Sequence, residues 1–177
     1  MKKITLLSAI VATFLFGADH AMYPNSIGVT LGYSSNSKGT GFANSMVYGF
    51  RYNQNIFNGS PFAVDAYQVA IDIANPEYLE SEGSTTQLRF GGNMLWYIDN
   101  QSNLTPFFLL GAGLSYITEL DPKADQRTLS LYTNIGGGVE IQVRNDIALV
   151  GEAKYIYEDP TKKSLNANMG LKFSFGE

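Results

Sequence analysis

Ion pairs, rather than nucleophiles or metal ligands, are the chemistry this sequence offers. Its single histidine, His20, lies beside the apolar N-terminal run, and there is no cysteine. A Ser–His hydrolase would lack its base, and His/Cys metal sites would lack their ligands. No carboxylate pair is marked out for acid–base work, so neither enzyme activity nor a cofactor is expected. The chain does carry six charges in a particular setting: Arg51, Arg89, Glu140, Glu152, Lys154 and Lys172. Each lies within a stretch of alternating residues, on the side that also bears Gly, Ser, Asn and Thr. Charges so placed could form structural ion pairs, a gate or a solvated face. Which of these they form depends on where that side points.

The stretches that hold them read as strands. About eight period-two segments follow one another, divided by Gly/Asn/Pro/Asp clusters. In "SIGVTLGYSS", Ile27, Val29, Leu31 and Tyr33 oppose Gly28, Thr30, Gly32 and Ser34. In "SMVYGFRYN", Met46, Tyr48, Phe50 and Tyr52 oppose Val47, Gly49 and Arg51. "TQLRFGGNMLWY", "FFLLGAGLSYIT", "TLSLYTNIGGGVEIQV", "ALVGEAKYIY" and "SLNANMGLKFSF" repeat the contrast. "FAVDAYQVAIDI" is less regular: Tyr67, Val69 and Ile71 form one face, but Asp65 falls on it. Asp65 therefore marks either a rim or a bulge that shifts the phase. Four connections are polar and mostly charged, with Glu77, Glu80 and Glu82 in one and Lys162 and Lys163 in another. Short links between consecutive strands imply an antiparallel up-and-down order.

One face of this sheet is bulky, aromatic and nearly free of charge. The other combines the six charges with Gly28, Gly32, Gly49, Gly91, Gly111, Gly113, Gly136, Gly138 and Gly170. An exposed strand face gains nothing from glycine and loses conformational entropy to it. A crowded interior needs small residues. The glycine-and-charge face is therefore predicted to point inward and the aromatic face outward, which only an apolar solvent permits. A bilayer forbids open sheet edges, so the sheet must close. The fold class expected is all-β: a closed antiparallel up-and-down transmembrane β-barrel of about eight strands of roughly 9–11 residues each. Tyr33, Tyr52, Phe90, Trp96, Tyr116, Tyr155, Phe173 and Phe175 should face lipid, several of them near strand ends where aromatic girdles form. The bore of an eight-stranded barrel is just wide enough for side chains to fill. The interior charges must then pair: Arg89 or Lys172 with Glu140, and Arg51 or Lys154 with Glu152.

The N-terminus "MKKITLLSAIVATFLFGADHA" has two lysines, an apolar run from Ile4 to Phe16 and then small residues. This is the three-part layout of a cleavable secretory signal. Residues 1–21 are read as that signal, with cleavage after Ala18 or Ala21, and residues 22–177 as the barrel. A net charge of −4 without a basic stripe argues against nucleic acid as a partner.

Two motifs sharpen the reading. "MGLKFSF", with Leu171, Phe173 and Phe175 alternating to an aromatic end, is similar to the carboxy-terminal assembly signal of eight-stranded bacterial outer-membrane barrels. "TPFFLLGAGLSY" resembles that family's Pro-aromatic-Gly-x-Gly strand. The chain thus resembles the membrane domain of outer-membrane protein A and its small porin-like relatives across nearly its whole length. The resemblance implies a Gram-negative cell envelope and residence in the outer membrane. As partners it implies membrane lipids and lipopolysaccharide, periplasmic chaperones and the barrel-assembly machinery. It puts the termini in the periplasm and the charged connections on the cell surface, where they could meet an extracellular ligand. The function so implied is a structural or surface-interaction barrel. The alternatives are a small or gated pore for ions or small solutes and, less well matched, a secreted lipocalin-like ligand-binding barrel.

Overall fold

A computed structural model describes residues 23–37, 40–56, 63–79, 83–98, 103–118, 129–159 and 162–176. Alternation of β-branched and aromatic residues with Gly, Ser and Asn gives each stretch two unlike pleated faces. Eight strands result: β1 (Asn25–Asn36), β2 (Ser45–Asn55), β3 (Ala66–Ala74), β4 (Thr86–Tyr97), β5 (Leu104–Thr118), β6 (Leu129–Arg144), β7 (Ile147–Asp159) and β8 (Lys162–Phe175). Each pairs antiparallel with its sequence neighbours, and β1 pairs with β8, so the sheet closes on itself. The β2–β3, β4–β5 and β6–β7 links lie at the same end as Asn25 and Phe175, here the turn end. The other four connections lie at the opposite, loop end. The segment read as a signal peptide lies outside the described residues.

The irregular third stretch resolves as a rim. β3 begins at Ala66, after Asp65, so the phase of Tyr67, Val69 and Ile71 is kept. Asp65 Oδ2 accepts the backbone N–H of Tyr97 at 2.7 Å, fixing the ends of β3 and β4 together.

Burial alternates along the strands in the sense opposite to that of a water-soluble barrel. Phe108 is 61% exposed and Leu131 74%, whereas Lys154 is 2% exposed. Burying a large apolar side chain is worth about 1.5–3 kcal/mol. Leaving the whole outer band in water would therefore cost more than a domain's net stability. The outer band is a lipid-facing surface.

Glycine lets the lumen hold its contents. A Cβ on Gly111 would lie 1.9 Å from Asn93 Oδ1. One on Gly91 would meet the Tyr132 hydroxyl at 2.3 Å, and one on Gly138 the Phe107 ring at 2.6 Å. Large inward side chains thus lie over glycines one or two strands away.

Candidate functional site: the filled lumen

Inward alternation on β2, β3 and β7 brings four charges to one level of the bore. Arg51 Nη1 lies 2.7 Å from Asp72 Oδ1, and Arg51 Nη2 lies 3.2 Å from Glu152 Oε1. Lys154 Nζ lies 2.6 Å from Asp72 Oδ2 and 3.5 Å from Glu152 Oε1. The four form a closed ring of alternating sign with no net charge, nearly shut off from solvent. In an eight-stranded barrel β3 and β7 are diametrically opposed, so the Asp72–Lys154 bond crosses the bore. Each charge has two opposite partners, which is what makes its removal from water tolerable.

Two further clusters flank this ring. Toward the loop end, Arg89 Nε lies 2.7 Å from Glu158 Oε1, to which Gln87 also donates at 3.1 Å. Arg89 Nη2 reaches Ser164 Oγ on β8 at 3.4 Å. Toward the turn end, Lys172 pairs with Glu140, whose Oε1 accepts the Tyr97 hydroxyl at 2.9 Å. The Lys172 ammonium lies 5.4 Å from the centre of the Tyr97 ring.

All six charges predicted to be interior point into the lumen. Of the pairings left open, Lys172 takes Glu140, and both Arg51 and Lys154 touch Glu152. Arg89 takes Glu158, and Asp72 is the hub of the central ring; neither acid was among the six. A signal for both was present. The six comprise four cations and two anions, an excess no dry lumen can hold. Asp72 shares its phase with Gln68 and Ala70, and Glu158 shares its phase with Glu152 and Lys154. Adding these two acids makes the paired charges four against four.

A chain of amides, also unforeseen, braces the same wall. Asn134 Nδ2 donates to Asn93 Oδ1 at 3.0 Å, and Asn93 Nδ2 donates to Gln68 Oε1 at 2.7 Å. Gln68 Nε2 donates to Asn53 Oδ1, and Asn53 Nδ2 to Ser26 Oγ, both at 2.9 Å. The chain runs from β6 to β1 and passes over β5 at Gly111, whose register partners are Asn93 and Asn134.

The lumen is not uniformly polar. Ala66, Leu95, Phe107 and Leu109 form an apolar cluster near the turn end, with Tyr97 and Val150 against it. At the loop end Phe42, Tyr78 and Ile117 pack together, the Phe42 and Tyr78 rings 5.4 Å apart. There the β1–β2 and β3–β4 connections pair: Ala43 N donates to the Glu77 carbonyl at 2.8 Å and Leu79 N to that of Gly41 at 2.9 Å. Two of the small cavities lined by described residues lie in the lumen. One of about 20 Å³ is lined by Thr30, Arg51, Glu140, Glu152 and Lys172. The other, of about 10 Å³, is lined by Gln87, Arg89, Glu158, Lys162 and Lys163. Each has room for about one water.

On the outside, Tyr33, Tyr52, Phe90, Tyr116, Tyr155, Phe173 and Phe175 are exposed, and Trp96 is half-buried at the end of β4. Leu171 and Phe173 face outward where β8 meets Val29 and Ile27 of β1. Glu77 is exposed; Glu80 and Glu82 lie outside the described residues. Among the described residues no group of three or more His, Cys, Asp or Glu is placed to hold a metal.

An edgeless sheet with a paired polar inside and an oily outside is the architecture of a transmembrane β-barrel. The same fold recurs in eight-stranded outer-membrane proteins. It resembles that of Neisserial surface protein A, with a TM-score of 0.69 at 14% identity over 86% of this chain and 97% of that one. For Ail, the attachment invasion locus protein of Yersinia pestis, the TM-score is 0.56 at 14% identity over 87% and 100%. For the outer membrane enzyme PagL it is 0.54 at 12% identity over 85% and 99%. At these identities the likeness is one of fold. No family model and no curated protein matches the chain.

Proposed function

We propose that the chain is an integral outer-membrane barrel protein with a structural and surface-interaction role and a lumen packed shut by its own side chains. The inverted polarity carries this reading: paired Arg, Lys, Asp and Glu inside, Phe, Leu and Tyr outside. That polarity runs against a secreted lipocalin-like barrel, which hides its apolar set. The layout of residues 1–21 supports export, and the Leu171, Phe173, Phe175 pattern supports handling by periplasmic chaperones and the barrel-assembly machinery. The termini then lie in the periplasm and the four charged connections at the cell surface, near lipopolysaccharide. The attachment and surface proteins that share the fold support a role for those connections in contact with the outside. Membrane fractionation with a heat-modifiability gel tests the reading. The protein should sediment with outer membranes and migrate differently unboiled; recovery from the soluble periplasm would overturn it.

PagL shows that this fold can house an enzyme, so the non-catalytic reading rests on this chain's own residues. The inward carboxylates of the three clusters are engaged by cations, and the only histidine is at position 20. The small-pore alternative draws on one observation, that Lys154 touches two acids and could favour either. The water-sized cavities and the bond across the bore favour a closed barrel. Planar-bilayer recordings decide between them: a closed lumen passes no steady current, and reproducible channels from purified protein would establish the pore.

A further inference from the structure

Lys163 stands apart from the lysines of the lumen. Odd-numbered residues of β8 point outward, and Lys163 opens that series, above Leu165. Among the described side chains it is the one charged group on the lipid-facing side of the strands at the loop end. Its cross-strand partner is Tyr157, and its ammonium lies 5.6 Å from the centre of that ring. Its main chain is fixed: the N–H donates to Ser37 Oγ at 3.2 Å, and the carbonyl accepts the Ser37 N–H at 2.9 Å. It forms no ion pair with a described carboxylate. Lys162, one residue earlier, takes the inward phase; both lysines border the small cavity beside Arg89 and Glu158, but only the Lys163 ammonium lies over the outward Tyr157 ring.

A lysine on the lipid side of a barrel cannot leave its charge among acyl chains; its stem lies along the apolar surface and its head reaches the interface. An aromatic ring beneath the ammonium stabilises it from one face and leaves its donors free for an anion on the other. The anion that lines that interface is headgroup phosphate. We propose that Tyr157 and Lys163 form a binding point for the unshielded phosphate of an outer-leaflet lipid headgroup, on the β7–β8 side of the loop end. The inference rests on the reading of the chain as an outer-membrane barrel.

The test uses the full mature barrel in mixed nanodiscs of phosphatidylcholine and phosphatidic acid, with retained lipid counted by native mass spectrometry. The wild type should retain phosphatidic acid over phosphatidylcholine. Lys163→Gln should lower that retention about fivefold, the loss expected for one basic residue at an anionic surface. Lys163→Arg should restore it, and Lys162→Gln should leave it unchanged. Millimolar inorganic phosphate should not displace the lipid; displacement would mark a site for free anions and overturn the proposal. Unchanged retention in Lys163→Gln, or equal loss in Lys162→Gln, would also overturn it. Heat modifiability of every variant separates loss of this contact from loss of the barrel, so failure here and failure of the membrane reading are told apart.

Discussion

The two faces of one sheet obey opposite rules. On the inner face the eight charges of the three clusters are tied to partners of opposite sign across or along the bore, and size is rationed by glycine. On the outer face side chains stand in a loose apolar band, and size is unrestricted. The inner face is a packed, directional network in which removing one member strands another. The outer face needs only to be oily, and it tolerates exchange among Leu, Ile, Val and Phe but not charge.

Six substitutions put that contrast to the test by equilibrium urea unfolding in phospholipid vesicles. The largest effect should come from Asp72→Leu, which leaves Arg51 and Lys154 sharing Glu152. Breaking a buried pair on one side costs about 3–5 kcal/mol, and a loss under about 1 kcal/mol would mean the ring is wet rather than dry. Leu110→Arg, on the outer face of β5, should cost about 2–4 kcal/mol as a charge near the bilayer midplane. A neutral result there would contradict the lipid-facing assignment. Next, Leu171→Lys should destabilise by about 2 kcal/mol. Lys172→Leu should cost only about 1 kcal/mol, because Glu140 keeps the Tyr97 hydroxyl as its donor. The reverse ranking would mean that the two faces have been exchanged. The subtlest pair compares glycines. Gly111→Ala forces a methyl into Asn93 and should cost about 1–3 kcal/mol. Gly92→Ala faces outward with nothing nearer than 4.0 Å and should change stability by less than about 0.5 kcal/mol. Equal effects would remove the crowding argument for the lumen.

Several inner-face features were legible in the sequence. Arg51, Arg89, Glu140, Glu152, Lys154 and Lys172 fall on the inner face by simple alternation, because a strand has a period of two and no freedom to place them otherwise. Asp72 and Glu158 were legible in principle through the charge imbalance they correct. Other features were not legible. Leu95, Phe107 and Leu109 occupy inward positions yet form an apolar cluster, since a narrow bore is filled by volume as well as by polarity. The amide chain through Asn134, Asn93, Gln68, Asn53 and Ser26 depends on the stagger between six strands, which no single strand encodes.

From the sequence alone came the strands, their order, their two faces and the inversion of polarity that demands a bilayer. These follow from local periodicity and from the cost of placing glycine and charge on the wrong side. Only the closed barrel decided that Lys154 reaches Asp72 across the bore, that Arg89 meets Glu158, and that Lys163 rather than Lys162 turns to the lipid beside Tyr157. Those contacts join residues up to 82 apart in the chain, and they exist only once the register of every hairpin and the closure of β1 on β8 have fixed which side chains share a level.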